Sequence, residues 1–303
     1  MKNNNKIKAL AMFSGGLDSI LAVKLLQDQN IDVVGLTCVS CFFDDQVAIK
    51  AADQLGIKLI TVDFSDEHLE MIKKPKFGYG RNINPCIDCH ILMSKKAKEV
   101  MNNEGFNFII TGEVLGERPM SQNKQALELI EKEANLKGYL LRPLSAKLLE
   151  LTIPEKESWV DRKKLLDISG RGRKRQMGLV KEWNIQYYPT PSGGCLLTYF
   201  EFSKKLKSIL TMWPDCNCND VRLLKYGRHF WEGENKIVVG RNKEDNEAID
   251  ELKKKGDIII KHDTIPGPTI LIRSKNRITE QGVVRAKDLM LKYSPKLKDR
   301  LTR

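Results

Sequence analysis

Ser14-Gly15-Gly16-Leu17-Asp18-Ser19 follows a short apolar run, Ile7 to Phe13, and precedes an apolar helical pattern that continues to Leu26. A buried strand, a glycine turn and a helix in that order bring backbone N–H groups to a helix N-terminus, where an anion can bind. The two glycines let the chain turn tightly. Ser14 and Ser19 add hydroxyl donors, and Asp18 offers a carboxylate able to help hold magnesium on bound phosphates. The segment lacks the GK[ST] ending of a Walker loop and is not a dinucleotide fingerprint. The plain alternative is an ordinary glycine turn with Asp18 near a helix start. Strand, SGGxDS and helix in sequence are demanding enough to favour the phosphate loop.

Outward from this loop the first half of the chain alternates. Strands are expected at Ile31–Thr37, Lys58–Val62, Phe108–Thr111 and Tyr139–Leu141, with helices at Gln46–Leu55, Ile91–Met101 and Gln125–Glu133. Such alternation predicts an α/β fold, a parallel sheet with helices on both faces. Its site is expected beyond the carboxyl ends of the strands. From Pro143 the pattern shortens, and Trp213-Pro214 breaks the chain after a helix at Glu201–Leu210. The expected division is therefore a catalytic domain over 1–213 and a small α+β domain over 214–303. Strands at Lys236–Gly240, Asp257–Lys261 and Thr269–Arg273 around a polar helix at Lys243–Lys255 make up the second.

Composition removes several classes. With 41% hydrophobic residues over 303 positions the chain can fill a real core without disulfide staples. No apolar run has the ~18 residues of a membrane span. Ile7–Phe13 is too short for a signal peptide and ends in glycines, so a cytoplasmic location with no membrane association is expected. Seven cysteines in such a chain point to thiol, metal or catalytic chemistry. The net charge of +12 is unevenly placed, since Asp161–Lys181 holds eight basic and two acidic residues. A local surplus of this kind suits a polyanionic partner, or else a solubilising surface.

The SGGxDS loop resembles that of the PP-loop ATP pyrophosphatases, which cleave ATP between the α and β phosphates and adenylate a substrate. Thr111-Gly112-Glu113-Val114-Leu115-Gly116-Glu117-Arg118 and Leu141-Arg142-Pro143-Leu144 are similar to segments of the tRNA 4-thiouridine synthases. The resemblance covers about residues 6–200. It implies an adenine nucleotide alpha-hydrolase-like fold, ATP and Mg2+ as cofactors, and Gly112, Glu113 and Arg142 beside the nucleotide or the adenylate. The THUMP and rhodanese domains that accompany such synthases have no counterpart in this sequence. Substrate capture and sulfur delivery are accordingly expected to differ.

Asn84-Pro85-Cys86-Ile87-Asp88-Cys89-His90 opens a helix, and Cys195 follows Ser192-Gly193-Gly194. The pair resembles the Asn-Pro-Cys-x-x-Cys element of the tRNA 2-thiouridylases and related thiolases. In one group of these enzymes such a pair and a distant third cysteine bind a 4Fe–4S cluster with one iron open, which implies Cys86, Cys89 and Cys195 as ligands. Two other readings stay open. Cys89 or Cys195 carries sulfur as a persulfide that the other resolves, or the thiols bind structural zinc with His90 or Cys218 as a fourth ligand. All three suit soft thiolates. Cys38-x-x-Cys41 ends a buried strand and is expected to pack as small apolar residues, and Cys216 and Cys218 are expected in a linker. His68, His229 and His262 are expected to be surface or core residues.

Ser169-Gly170-Arg171-Gly172-Arg173-Lys174-Arg175-Gln176 joins flexible glycines to dense cations, and Arg171, Arg173, Lys174 and Arg175 are the candidate RNA-phosphate contacts. In the tail, Gly227-Arg228-His229-Phe230-Trp231, Val239-Gly240-Arg241-Asn242, Asn246 and Pro266-Gly267-Pro268 resemble the R domain of NFACT proteins, which is associated with RNA. Gly240, Arg241 and Asn246 equally fit a structural turn. Together these resemblances imply an ATP-dependent tRNA sulfurtransferase that takes tRNA and a sulfur donor, either sulfide or a persulfide carrier. Asp18, Cys89 and Cys195 are its expected catalytic residues. The rival expectations are a PP-loop amide- or nitrile-forming synthase acting on a small molecule, and a non-catalytic RNA-binding protein.

Overall fold

The computed structural model describes residues 7–189, 195–262 and 264–294. They form two compact units, Met1–Cys195 and Leu196–Arg303. The helix at Phe200–Met212 thus groups with the second unit, whereas the sequence suggested a break after residue 213.

The first unit runs β1 (Lys8–Met12), α1 (Leu17–Gln27), β2 (Asp32–Val39), α2 (Gln46–Leu55), β3 (Leu59–Asp63), α3 (Ser65–Lys73), α4 (Cys86–Glu104), β4 (Phe108–Thr111), α5 (Lys124–Glu133), β5 (Leu140–Leu141), α6 (Ile153–Lys156) and α7 (Lys174–Glu182). The five strands make one sheet in the order β3-β2-β1-β4-β5. Every neighbouring pair in it is parallel. Strands buried on both faces need apolar side chains on both, which is why Ala9, Leu10 and Phe108–Ile110 are all fully enclosed. One core lies beneath α1 with Ile20, Leu21 and Val23, and the other beneath α4 with Ala97 and Met101. The chain leaves β1 toward β2 on one side, and β4 extends the sheet on the other. The order reverses between β1 and β4, so their carboxyl ends open a crevice.

Several elements differ from the sequence reading. The α4 helix starts at Cys86, within the segment Asn84–His90 expected to open a helix and before the apolar pattern at Ile91–Met101, because Cys89 N–H already donates to the Pro85 carbonyl at 2.9 Å. Helices α3 and α7 went unread because charge interrupts their apolar rows.

The second unit runs α8 (Phe200–Met212), α9 (Cys218–Leu223), β6 (Arg228–Glu232), β7 (Asn235–Val239), α10 (Lys243–Glu251), β8 (Ile258–Ile260), β9 (Ile270–Arg273) and α11 (Glu280–Tyr293). Its antiparallel sheet has the order β6-β7-β9-β8. Arg273, 1% exposed, is held by Asp220 at 2.9 Å and Asp257 at 2.7 Å. Cys216 and Cys218 are buried in this unit rather than lying in a linker. Arg241 pairs with Asp245 at 2.6 Å, and Asn246 accepts the Thr269 N–H at 2.9 Å, so these residues hold a structural turn. No helix among the described residues is long and apolar enough to cross a membrane.

Candidate active site

The phosphate loop lies in the crevice between β1 and β4. Gly15 adopts φ +71°, and a Cβ there would lie 2.5 Å from the Val47 carbonyl oxygen, so a side chain is excluded by both conformation and space. Gly112, just after β4, meets the same loop from the other side. A Cβ on Gly112 would lie 2.5 Å from the Asp18 carbonyl carbon and collide with the Ser19 nitrogen. The Ser19 hydroxyl donates to the Gly16 carbonyl at 2.8 Å, and the Ser14 hydroxyl accepts the Gly16 N–H at 3.3 Å.

Asp18 is half-buried at the start of α1. Burial, reinforced by Glu117, raises its pKa to about 6, while Arg173, the Gln176 amide and Arg118 pull it back. Gln176 is fully buried on α7 and donates to Asp18 Oδ1 at 3.4 Å, and its own Oε1 has no partner among the described residues. Arg173 pairs with Glu117 at 3.5 Å. The basic stretch is therefore divided. Arg173 lies beside the loop, Arg175 pairs with Asp167 at 2.6 Å, and Arg171 and Lys174 are exposed. The stretch is also tied to the segment after β4, because Gly170 N–H donates to the Leu115 carbonyl at 2.7 Å.

Glu113 joins the loop to the cysteines. Its carboxylate accepts from Arg142 Nε at 2.9 Å and from the Thr111 hydroxyl at 3.1 Å, and lies 3.0 Å from His90 Nδ1. Desolvation alone would raise Glu113, but Arg142 and His90 outweigh it and hold the carboxyl down at about 2. Arg142, 3% exposed, also binds Glu131, and its Nη2 has no partner among the described residues. Desolvation likewise opposes the charge on His90, yet its bonds to Cys86 and Glu113 raise it to about 9.

Cys86 is the first residue of α4. Burial pushes its thiol up, but bonds from His90 and Ser121 and the charge of Arg118 bring it below the ordinary value. Cys89 is raised well above that value by burial and by Cys195, Cys86 and Cys38. The three cysteines singled out in the sequence thus share one neighbourhood. So does Cys38 at the end of β2, whose thiol burial pushes up to about 12, a placement absent from the packing-only reading. Cys41 is fully buried. His68, also fully buried, stacks on Phe64 at 4.8 Å, and its Nε2 lies 3.4 Å from Cys89 Sγ. Asp88, between the two cysteines, accepts the N–H groups of Lys76 at 2.9 Å and Phe77 at 3.0 Å, which fixes the approach to α4. Residues 190–194, with Ser192-Gly193-Gly194, lie outside the described residues. Among the described residues no group of three or more His, Cys, Asp or Glu side chains is set to hold a metal ion.

Residues 7–160 match the model of the tRNA methyl transferase HUP domain. The chain belongs to that HUP-domain family. Residues 227–302 of this HUP-domain protein match the NFACT protein RNA binding domain. Its curated relatives include a tRNA-specific 2-thiouridylase of Proteus mirabilis, 28% identical over 48% of this chain and 44% of the relative. The counterpart from Treponema denticola is 36% identical over 35% of this chain and 33% of its own length. The chain spans less than half the length of these curated relatives. Among solved structures, the U34-tRNA thiolase of Methanococcus maripaludis with its [4Fe-4S] cluster is 20% identical, with TM-score 0.36, over 73% of this chain and 72% of its own.

Proposed function

We propose that this HUP-domain protein is an ATP-dependent tRNA sulfurtransferase. One observation carries the reading: Gly112 packs on the phosphate loop while Glu113, the next residue, is bonded to His90, which holds Cys86. A nucleotide site and a group of thiols are thereby joined through one carboxylate. The 2-thiouridylase relatives support the same reaction class.

ATP phosphates bind the backbone of Ser14–Ser19 and the hydroxyls of Ser14 and Ser19, and Asp18 would hold a magnesium ion there, which would supply positive charge to the phosphates. Gln176 orients Asp18, and Arg118 and Arg173 add positive charge. A uridine carbonyl oxygen attacks the α-phosphorus and pyrophosphate leaves, giving an O-adenylated base. Hydrosulfide then attacks the ring carbon, and AMP departs with the former carbonyl oxygen. On the persulfide route the terminal sulfur of a persulfide on Cys89 or Cys195 attacks instead. The other thiol then cleaves the S–S bond, which releases the thiouridine and leaves a disulfide between the two cysteines. Adenylation is needed because the oxygen alone is a very poor leaving group. Arg142, whose Nη2 has no partner among the described residues, offers a donor for the adenylate.

The thiols of Cys86, Cys89 and Cys195 fit an iron–sulfur cluster in donor type, Cys86 and Cys195 both act electrostatically on Cys89, and these residues would hold it once drawn together around the group. Such a cluster, when bound, supplies an iron able to carry the transferred sulfide. His90 keeps Cys86 oriented for that role, and His68 does the same for Cys89. Arg171 and Lys174 meet tRNA phosphates. Mass spectrometry of nucleosides from tRNA incubated with protein, ATP, magnesium and sulfide tests the assignment. A new thiouridine that requires ATP supports it, and its absence with the cysteines loaded refutes it.

A further inference from the structure

Two loops of the first unit meet beside Cys86, and each is fixed by its own hydrogen bonds. After β4 the chain closes a tight turn. Gln122 N–H donates to the Arg118 carbonyl at 2.8 Å, and Gln122 Oε1 accepts the Arg118 N–H at 3.1 Å. Gly116 N–H donates to the Gln122 carbonyl at 2.7 Å, and the Asn123 side-chain amide to the Pro119 carbonyl at 2.7 Å. Inside this turn Ser121, fully buried, serves the Cys86 thiol. Met120, one residue before it, lies on Gly80 instead: a Cβ there would be 2.5 Å from the Met120 sulfur. Gly80 belongs to the approach to α4, where Asp88 holds the Lys76 and Phe77 N–H groups. Gly80 N–H donates to the Asn84 carbonyl at 2.8 Å, and the Tyr79 hydroxyl donates to the Ile72 carbonyl at 2.5 Å.

These rigid loops leave apolar surface in water. Met120 is 46% exposed and Tyr79 44%. Single exposed apolar side chains are ordinary, but these two stand beside one glycine, at the thiols. The Tyr79 hydroxyl is already committed inside the protein, so what remains outside is an aromatic face. A thioether next to a ring suits a flat, polarisable partner. The rim is cationic, because Lys74, Arg81 and Arg118 are exposed. Glu117, the acid next to Arg118, is paired with Arg173. The charge of Arg118 reaches both Cys86 and Asp18, so this rim lies between the thiol and the phosphate loop. Thiolation requires a base lifted out of its stack, and the stacking it gives up has to be replaced. A ring and a thioether among phosphate-binding cations replace it.

We propose that Met120 and Tyr79 form the seat for the unstacked pyrimidine base of the RNA substrate, with Arg118 on its phosphate. This deepens the sulfurtransferase reading and rests on it for the reaction. The occupant is a nucleotide rather than a peptide of a sulfur-donor protein, because a cation for a phosphate and a ring for a base stand side by side.

The test uses the full chain with isotope-labelled methionine methyl groups, titrated with a uridine trinucleotide and followed by methyl NMR. Loss of one signal in Met120→Leu assigns the Met120 methyl, and a base stacked on it should move that signal upfield. Followed on this signal, Tyr79→Ala should weaken binding about tenfold, the loss of one stacking contact. Tyr79→Phe keeps the ring and should keep the shift. Arg118→Gln should weaken binding and flatten the log–log salt slope by about 0.7, whereas Tyr79→Ala should leave the slope unchanged. A Met120 methyl that stays in place with the trinucleotide in large excess would overturn the proposal. So would an equal loss in Tyr79→Phe and Tyr79→Ala, which would reduce the tyrosine to a loop anchor. Thiouridine formation from tRNA and sulfide is measured separately. A methyl shift without thiouridine refutes the sulfurtransferase reading alone, and thiouridine without a shift refutes this site alone.

Discussion

Asp18→Asn should stabilise the protein while removing its activity. The Asp18 pKa rises from 3.8 to about 6 in the fold, chiefly through burial and then through Glu117. A rise of about two units corresponds to about 3 kcal/mol against the ionised form. The sign follows from linkage: the folded state binds this proton more tightly, so the contribution of Asp18 to stability is fully present below pH ~4 and is lost as pH rises through about 6. At pH 7.5 the ionised carboxylate costs the fold up to that amount. Asparagine has the same shape, can still accept from Gln176, and removes the penalty, so a gain of about 1–3 kcal/mol is expected without ATP or metal. Urea unfolding in EDTA at pH 7.5 and near pH 4, followed on the transition of the Met1–Cys195 unit, measures it. The gain should vanish at the lower pH. A variant less stable than wild type at pH 7.5, or a gain independent of pH, would refute the reasoning. Pyrophosphate release should meanwhile be lost.

Gly112→Ala should cost about 1–3 kcal/mol by forcing a methyl into the loop backbone, and isothermal titration should show weakened ATP binding. Cys86→Ala, Cys89→Ala and Cys195→Ala should each lose iron, sulfide and visible absorption after anaerobic reconstitution, whereas Cys41→Ala, in the core, keeps them. Tightly bound zinc in place of iron would make these cysteines structural. Neutralising Arg171, Arg173, Lys174 and Arg175 together should flatten the salt dependence of tRNA binding. Arg171 and Lys174 should account for most of the change, because Arg173 and Arg175 already pair with Glu117 and Asp167.

The parallel sheet was legible because β1, β2 and β4 are apolar runs separated by helical patterns, and the loop because SGGxDS falls between β1 and α1. Gly112 and Glu113 were reached only through resemblance. Nothing in their local pattern reports that β4 ends against the loop. Gln176 was hidden in a run of charges, where a buried amide leaves no periodic trace, and Arg173 was read with its exposed neighbours although it faces Asp18. His68 lies on α3, an element the pattern missed, and its approach to Cys89 depends on tertiary packing. Cys38 looked like a small apolar strand residue, and only the strand order brings it among the other thiols. His90 carried a signal, one position beyond the second cysteine, but its bond to Glu113 did not.

Exchange of labelled pyrophosphate into ATP tests the central claim most directly, because it reports adenylation before any sulfur chemistry. With unmodified tRNA and magnesium present, the wild-type chain should catalyse exchange, and Asp18→Asn should not. The three cysteine variants should retain exchange, since the thiols act after adenylation. Exchange that proceeds equally without tRNA would contradict the account and point to a small-molecule substrate. No exchange under any condition would reduce the phosphate loop to a structural element.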